Sequence, residues 1–333
     1  MSKPVGIGVL GARSMVARLA VLPAIEASSK ATLVAAASLS GPVPDPWANA
    51  TVSDYEAVIN HPDVEAIYLA LPNDMHRAWT MHAAAAGKHV LCEKPLAVSP
   101  DEARVMQAAC HSSGTLLAEA WMTPFDPRWR HAMQLAADGL VGELTEINSA
   151  FTFTIGPERA DNYRWILDHG GGALLDVGIY CLGPAVELWG SQPTAVEASI
   201  DLAPSGVDAT TTVQLTWPSG QIARARVSFV QTEQQRLEIV GTTGRIVLDG
   251  DAHTGGPNAK RIRVECDPAT NSATNSATNS ARERSIDVEP GDPYLGMINA
   301  FAAAVRGTQR WPRPVERSID MLELLSQIRT SAQ

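Results

Sequence analysis

Cysteine is scarce in this chain, and aromatic residues, an excess of basic charge and long apolar runs are scarce or missing too. The four cysteines (Cys92, Cys110, Cys181, Cys266) are too few and too scattered for a disulfide framework, and no pair has the spacing of zinc ligands. Reduced thiols in a cytoplasmic protein, without a metal, are the expectation. The 26 Lys and Arg are outnumbered by 36 Asp and Glu, and no dense basic stripe occurs. A nucleic-acid surface needs clustered cations, so a nucleic-acid partner is excluded. The apolar stretch Val5 to Ala12 is cut short by Arg13; it reads as a first strand rather than a signal peptide or a membrane span, so no membrane partner is expected. What remains is an ordinary globular composition, 45% hydrophobic and 19% charged. At 333 residues the chain is longer than one core usually fills, and two domains are expected, 1–122 and 123–333.

The first of these alternates strand and helix. Val5–Leu10 is a short apolar run of the kind buried on both faces. A helical stretch follows to about Glu26, then a strand over Thr32–Ala37. Ser53 and Glu56 have the spacing of a capping box before a short helix. Strands are expected at 65–71, 89–92 and 116–119, and helices at 74–86 and 99–113. The second helix carries its own capping box, Ser99 with Glu102 and with Pro100 at the first helical position. Such alternation gives a Rossmann-type doubly wound parallel sheet, and ligands bind such sheets beyond the carboxyl ends of the strands. Gly11, Pro72-Asn73 and Glu93-Lys94-Pro95 all fall there.

Gly6-x-Gly8-x-x-Gly11 matches a dinucleotide fingerprint literally, but its first two glycines lie inside the strand. The chemistry needs a tight turn after the strand and close approach at a helix N-terminus. That makes Gly11 the turn glycine, with Arg13 and Val16 in the places of the second and third glycines. The loop alone is a weak signal.

From Gly142 onward strands dominate, expected at 143–154, 194–202, 208–217, 221–231, 235–240, 244–248, 261–265 and 285–288. Trp217-Pro218-Ser219-Gly220 and Gly241-Thr242-Thr243-Gly244 supply hairpin turns. Helices are expected at 126–138, 173–189, 294–306 and 316–330. This is an α+β domain with a large, mainly antiparallel open sheet. Residues 269–281 repeat Ala-Thr-Asn-Ser three times and add an alanine; small polar units cannot bury a core, so a loop is expected.

Three residues carry the chemistry. Lys94 sits between Glu93 and Pro95 at a strand end. Asp176 and Tyr180 follow Gly170-Gly171-Gly172 at i and i+4 on one helix face. An ammonium, a carboxylate and a phenol can exchange a proton with a hydroxyl or carbonyl while a nucleotide carries the hydride. A free phenol titrates near about 10, so Tyr180 needs the Lys94 charge to work near neutrality. Tyr180 is the expected proton donor in reduction and base in oxidation, with Asp176 orienting Lys94 or a substrate hydroxyl.

With these motifs in order, the chain resembles the glucose–fructose oxidoreductase, inositol dehydrogenase and rhizopine-catabolism (Gfo/Idh/MocA) family from end to end. The likeness includes Gly87-Lys88-His89-Val90-Leu91-Cys92-Glu93-Lys94-Pro95-Leu96, Glu119-Ala120-Trp121-Met122, Gly142-Glu143-Leu144 and Ala300 to Gly307. It implies a Rossmann domain followed by an α/β domain whose sheet mediates contacts in a homodimer or homotetramer. It also implies a dissociable NAD or NADP, a carbohydrate-like substrate and a cis Lys94–Pro95 bond. The expected cofactor residues are Gly11, Ala12, Arg13, Ser14 and Met15 at the pyrophosphate, with Leu71, Pro72, Asn73, His76, Glu93, Lys94 and Arg164. Strand two ends in Ser38-Leu39-Ser40 with no acid to receive the ribose hydroxyls, so Arg13 and Ser38 are placed for a 2′-phosphate. NADP(H) is therefore preferred, with NAD(H) possible. Trp121, Tyr163, Trp165 and Tyr294 are the candidate substrate residues.

The chain departs from its relatives after Met122: Thr123-Pro124-Phe125-Asp126-Pro127 stands where many carry an Arg and a His-Pro. The substrate reading is a sugar, polyol or ketosugar. A trans-dihydrodiol or apolar ketone is the second reading, and a nucleotide-sensing regulator without turnover is the third.

Overall fold

A computed structural model describes residues 3–156, 159, 161–189, 192–256, 260–266 and 282–332. The repeat at 269–281 lies outside the described residues. The chain divides into two compact units. The first comprises Met1–Met122, Asp168–Gly170 and Pro293–Glu323; the second comprises Thr123–Leu167, Gly171–Asp292 and Leu324–Gln333.

In the first unit five strands form one parallel sheet: β1 (Val5–Leu10), β2 (Ala31–Ala37), β3 (Ala66–Leu69), β4 (His89–Glu93) and β5 (Leu117–Ala120). Their spatial order is β2-β1-β3-β4-β5. Every residue of β1 is buried, which explains the unbroken apolar run. A Cβ on Gly6 would come 2.0 Å from the Asp63 carbonyl oxygen, and one on Gly8 2.5 Å from Val58. These two glycines are therefore packing residues. Gly11, at φ +82, makes the turn.

Connections on opposite sides of β1 lead to β2 and β3, so the crevice at the ends of β1 and β3 is the topological switch point where nucleotides bind. The first connection is a helical run from Met15, with a widened π-type turn at Ala17–Val21, into α1 (Leu22–Ala27). The others are α2 (Tyr55–Ile59), α3 (His76–Ala85) and α4 (Pro100–Ser112).

Ser99 caps α4 by accepting the Glu102 N–H at 3.3 Å, as the sequence predicts. The cap of α2 is shifted by one residue. Asp54, not Ser53, accepts the Ala57 N–H at 2.8 Å, and the Ser53 hydroxyl instead donates to Asp54. A carboxylate is the stronger acceptor of two adjacent candidates, and it wins.

The second unit begins with α5 (Pro127–Ala137), capped by Asp126. An eight-stranded sheet follows: β6 (Leu144–Thr154), β7 (Ala195–Leu202), β8 (Asp208–Thr216), β9 (Ile222–Ser228), β10 (Val230–Gly241), β11 (Gly244–Asp249), β12 (Arg261–Cys266) and β13 (Arg282–Asp287). Its order is β13-β12-β11-β10-β6-β9-β8-β7, with β6 and β9 parallel and the other pairs antiparallel.

Strand boundaries depart most from the sequence reading at two places. The run 221–231 breaks at a bend at Phe229, although its N–H still donates in register to the Ala209 carbonyl at 3.2 Å, and β10 starts at Val230 rather than 235. The last strand spans 282–287 rather than 285–288.

Helix α6 (Ala173–Trp189) is buried through Val186 and packs on β6, β8 and β9. Charged side chains on β6, β9, β10, β11 and β12 pair with one another, as in Arg224–Glu146 at 2.8 Å and Arg245–Glu238 at 2.9 Å. Exposed pairs of this kind add about 0–1 kcal/mol each, so they contribute little to the stability of the sheet. Helix α7 (Pro293–Val305) lies in the first unit; α8 (Val315–Ser331) contributes to the first unit up to Glu323 and to the second from Leu324. Among the described residues no helix is long and apolar enough to cross a membrane.

Candidate active site

In the first unit, the Gly11 turn is closed by the Gly11 and Ala12 N–H groups, which both donate to the Ala37 carbonyl, at 3.0 and 3.1 Å. A Cβ at Gly11 would sit 2.3 Å from the Ala70 carbonyl oxygen, so only glycine lets β1 and β3 run this close. Ser14 accepts the Ala17 N–H at 3.2 Å and caps the helix that follows. Arg13 donates to the Pro42 carbonyl at 3.2 Å, and its guanidinium lies over Gly41. The Ser38 and Ser40 hydroxyls are 3.0 Å apart on the same exposed edge, which carries no carboxylate from Ala37 to Pro42. Met15, Leu19 and Leu39 leave apolar surface exposed nearby in sequence.

The end of β4 is built differently. The Lys94–Pro95 bond is cis, as the resemblance implies. Glu93 is buried, accepting the Tyr68 hydroxyl at 2.7 Å and the Lys94 N–H at 3.3 Å. Burial pushes the Glu93 carboxyl above its ordinary range, against the pull of the Lys94 charge and the Tyr68 hydrogen bond. Tyr68 was not anticipated. The only signal for it is that a phenol inside the buried run Ala66–Ala70 must find a partner. Tyr294 acts electrostatically on Tyr68.

His76 is fully buried, with Nδ1 3.0 Å from the Pro95 carbonyl and Nε2 3.0 Å from the Leu71 carbonyl. Burial lowers its pKa. The buried Asn73 amide donates to the Gly170 carbonyl at 2.9 Å, and His169 lies 2.9 Å from Asp74. His76 thus joins the backbone beyond β3 to that beyond β4, and Asn73 ties the segment after β3 to the Gly170 carbonyl. Trp121 is 1% exposed and lies against the Arg313 guanidinium, 5.1 Å from the ring centre.

In the second unit the glycine motif has a steric cause. A Cβ on Gly171 would be 2.5 Å from the Arg164 carbonyl oxygen, and one on Gly172, at φ +115, 2.0 Å from the Asp208 carboxylate. Asp208 accepts the Leu174 N–H at 2.6 Å and so anchors the start of α6. Arg164 holds Asp176 with two hydrogen bonds, Nε at 2.5 Å and Nη2 at 2.9 Å. Burial alone would weaken the Arg164 charge, but the Asp176 carboxylate more than offsets it and its pKa rises. The two residues expected to act separately, on cofactor and on substrate, form one ion-paired unit.

Tyr163 stacks on this guanidinium at 4.8 Å, and Trp165 packs edge-on against Phe229 at 4.6 Å. Tyr180, 6% exposed, meets the Phe151 ring edge-on at 5.3 Å. Phe151 in turn stacks on His253 at 5.7 Å. His253 is fully buried, with Nε2 3.2 Å from Ser149 Oγ and from the Ala150 and Arg236 carbonyls. Burial takes its pKa down to about 4, so the ring is neutral at physiological pH. No periodicity or motif in the Asp251–Gly256 loop announces this residue. Among the described residues no group of three or more His, Cys, Asp or Glu is arranged to hold a metal.

Comparison with known proteins agrees with this geometry. Residues 5–120 match the model of the oxidoreductase family with an NAD-binding Rossmann fold, and residues 129–247 match that of the GFO/IDH/MocA C-terminal domain. A D-xylose 1-dehydrogenase (NADP(+)) of Haloferax volcanii is 31% identical over 331 residues, spanning 98% of this chain and 97% of that protein. The dTDP-3,4-didehydro-2,6-dideoxy-alpha-D-glucose 3-reductase of Actinomadura kijaniata is 29% identical over 342 residues, spanning 100% and 97%. A crystal structure of KijD10, a 3-ketoreductase from A. kijaniata in complex with TDP-benzene and NADP, superposes with a TM-score of 0.85 at 26% identity, covering 99% and 98% of the two chains. The chain belongs to the GFO/IDH/MocA family of NAD(P)-dependent oxidoreductases.

Proposed function

We propose that this protein is an NADP(H)-dependent oxidoreductase that interconverts a hydroxyl and a carbonyl on a sugar, polyol or ketosugar. The observation that carries the reading is Lys94: it is partly exposed at the end of β4, while the other residues from Leu91 to Ala97 are buried. The first unit is the nucleotide domain and the second the substrate domain.

The residues at the β1 and β2 ends suit a nucleotide with a 2′-phosphate. Gly11 lets the chain turn into a helix N-terminus, Arg13 offers a cation, Ser38 and Ser40 offer hydroxyls, and no carboxylate repels the phosphate. When bound, NADP(H) supplies or accepts the hydride.

The chain's own residues manage the oxygen and its proton. Lys94 stabilises the negative charge that develops on the substrate oxygen, and Tyr180 gives or takes the proton. This requires both groups to reach one substrate oxygen. Arg164 interacts electrostatically with Tyr180, and the same guanidinium is ion-paired with Asp176. Lys94 is the cation proposed to assist the proton transfer. Tyr163 and Trp165 of the second unit and Tyr294 of the first are the residues proposed to meet the substrate. The ion-paired face of the large sheet is the surface through which copies of the chain associate, to be checked by light scattering.

A panel of aldoses including D-xylose, ketosugars and cyclic trans-diols, each assayed with NADP(H) and NAD(H), tests the substrate class. Turnover of a sugar with NADP(H) supports the reading. Turnover of the diols alone would replace the sugar with an apolar diol, and turnover of nothing would favour a nucleotide sensor.

A further inference from the structure

The turn carrying Lys94 is held by side chains from remote parts of the first unit. Following β4, the Lys94 N–H is taken by Glu93 and the Pro95 carbonyl faces His76. The Leu96 N–H donates to Glu119 Oε1 at 2.9 Å. The other carboxylate oxygen of Glu119 accepts from Arg313 Nη1 at 2.6 Å and from the Ser318 hydroxyl at 2.7 Å. Arg313 also donates to Ser318 Oγ at 2.6 Å and, through Nη2, to the Arg317 carbonyl at 2.9 Å, while its plane rests on Trp121. Glu119, Arg313 and Ser318 are 4%, 8% and 1% exposed.

An ion pair this deep is a poor device for stability, because desolvating two charges offsets most of their attraction and a well-packed apolar pair serves as well. What apolar side chains cannot do is orient an acceptor. Three donors converge on Glu119, two fixing one oxygen and the third being the Leu96 amide. The carboxylate is thereby immobilised on the residue two places after Lys94. Lys94 itself stays partly exposed while its neighbours on both sides are buried.

We infer that Glu119, fixed by Arg313 and Ser318, is a positioning residue for Lys94: it holds the Leu96 amide so that the ammonium is set in place before any ligand binds. The inference rests on the proposed role of Lys94 in the reaction. Preorganisation of this kind affects turnover rather than nucleotide affinity, since a group misplaced by about 1 Å loses on the order of a hundredfold in rate. The segment between α7 and α8, far from Lys94 in sequence, thus becomes part of the apparatus that sets the active lysine.

Single truncations would leave a buried charge unpaired and confound folding with function. Two double variants avoid this. E119M/R313M removes both charges and the acceptor. E119Q/R313M also removes both charges but keeps a carbonyl oxygen for the Leu96 N–H. Both are compared with wild type and Lys94→Ala by thermal unfolding, NADPH titration, turnover of D-xylose with NADP+ and hydrogen exchange at the Leu96 amide.

The expected result is that both doubles fold and bind NADPH within about threefold of wild type. E119M/R313M should lose on the order of tenfold or more in kcat and lose protection at Leu96, and E119Q/R313M should recover most of both. Equal kcat and equal Leu96 protection in the two doubles would overturn the inference, leaving the network a purely structural one. Full activity in Lys94→Ala would overturn the reaction reading instead. If D-xylose is not turned over, Leu96 exchange together with the sugar identified by the panel decides in the same way.

Discussion

The two ends of the first unit's nucleotide crevice are built on opposite plans. At β4, the Glu93–Leu96 turn has its polar groups tied by Tyr68, His76 and Glu119, all buried, and shows one charged side chain to the outside. After β2, Arg13 rests on an exposed edge with the Pro42 carbonyl and near two serine hydroxyls. On the proposed reading, the first plan holds the reacting ammonium in place, as proton transfer demands. The second offers an adjustable charge, which is enough to choose between a ribose hydroxyl and a phosphate. Changes in the rigid turn should therefore appear in kcat, and changes on the edge in affinity and cofactor preference.

The sharpest way to break that contrast is Lys94→Ala. It should cost at least about a hundredfold in kcat with NADPH affinity unchanged within a fewfold, measured by steady-state kinetics and by quenching of the eight tryptophans. A change in KM alone would make Lys94 a binding residue.

Arg164→Met probes the second unit's counterpart to the rigid turn. It strands Asp176, which is 3% exposed, without its bidentate partner, and should cost about 3 kcal/mol of stability in denaturant unfolding. An unchanged midpoint would show that water or another donor replaces the guanidinium.

Much of this was readable from the sequence, and what was not divides by distance along the chain. Caps, turns and strand periodicity are local, so the parallel sheet, the Ser99 cap and the role of Gly11 follow from neighbours. The literal glycine fingerprint misleads because Gly6 and Gly8 answer to Asp63 and Val58, contacts that no short motif encodes. The Ser53 cap failed because two good caps stand side by side. The β9–β10 boundary failed because the chain bends at Phe229 without any Gly or Pro to mark it. Lys94, Asp176 and Tyr180 stand out as residue types in motifs. The pairs around them, Glu119 with Arg313 beneath the Lys94 turn and Phe151 with His253 beside Tyr180, are joined only by folding and leave no pattern in a single sequence.

On the exposed edge the expected effect is smaller. Arg13→Ala should weaken NADPH binding about tenfold, the worth of one hydrogen bond to a charged group, and leave NADH binding unchanged. Equal weakening of both nucleotides would move Arg13 from the 2′-phosphate to the shared pyrophosphate.

The smallest effect is a pH dependence remote from the crevice. Arg306 donates two hydrogen bonds to Glu65, whose pKa falls from 4.5 to about 2, first through those bonds and then, against desolvation, with help from the Gly6 N–H. A carboxyl lowered in the folded state contributes stability that is complete above pH 4.5 and is lost as pH falls towards 2. Arg306→Gln should flatten that part of the stability curve, as followed by thermal unfolding between pH 5 and pH 2. An unaltered slope would assign acid sensitivity to other carboxylates.

The central claim is that Tyr180 moves the proton, and turnover of Tyr180→Phe tests it most directly. With the sugar identified by the panel, the variant should fall at least about a hundredfold in kcat while NADPH binds as it does to wild type. Full turnover in Tyr180→Phe would contradict the account and leave the phenol a core residue packed against Phe151.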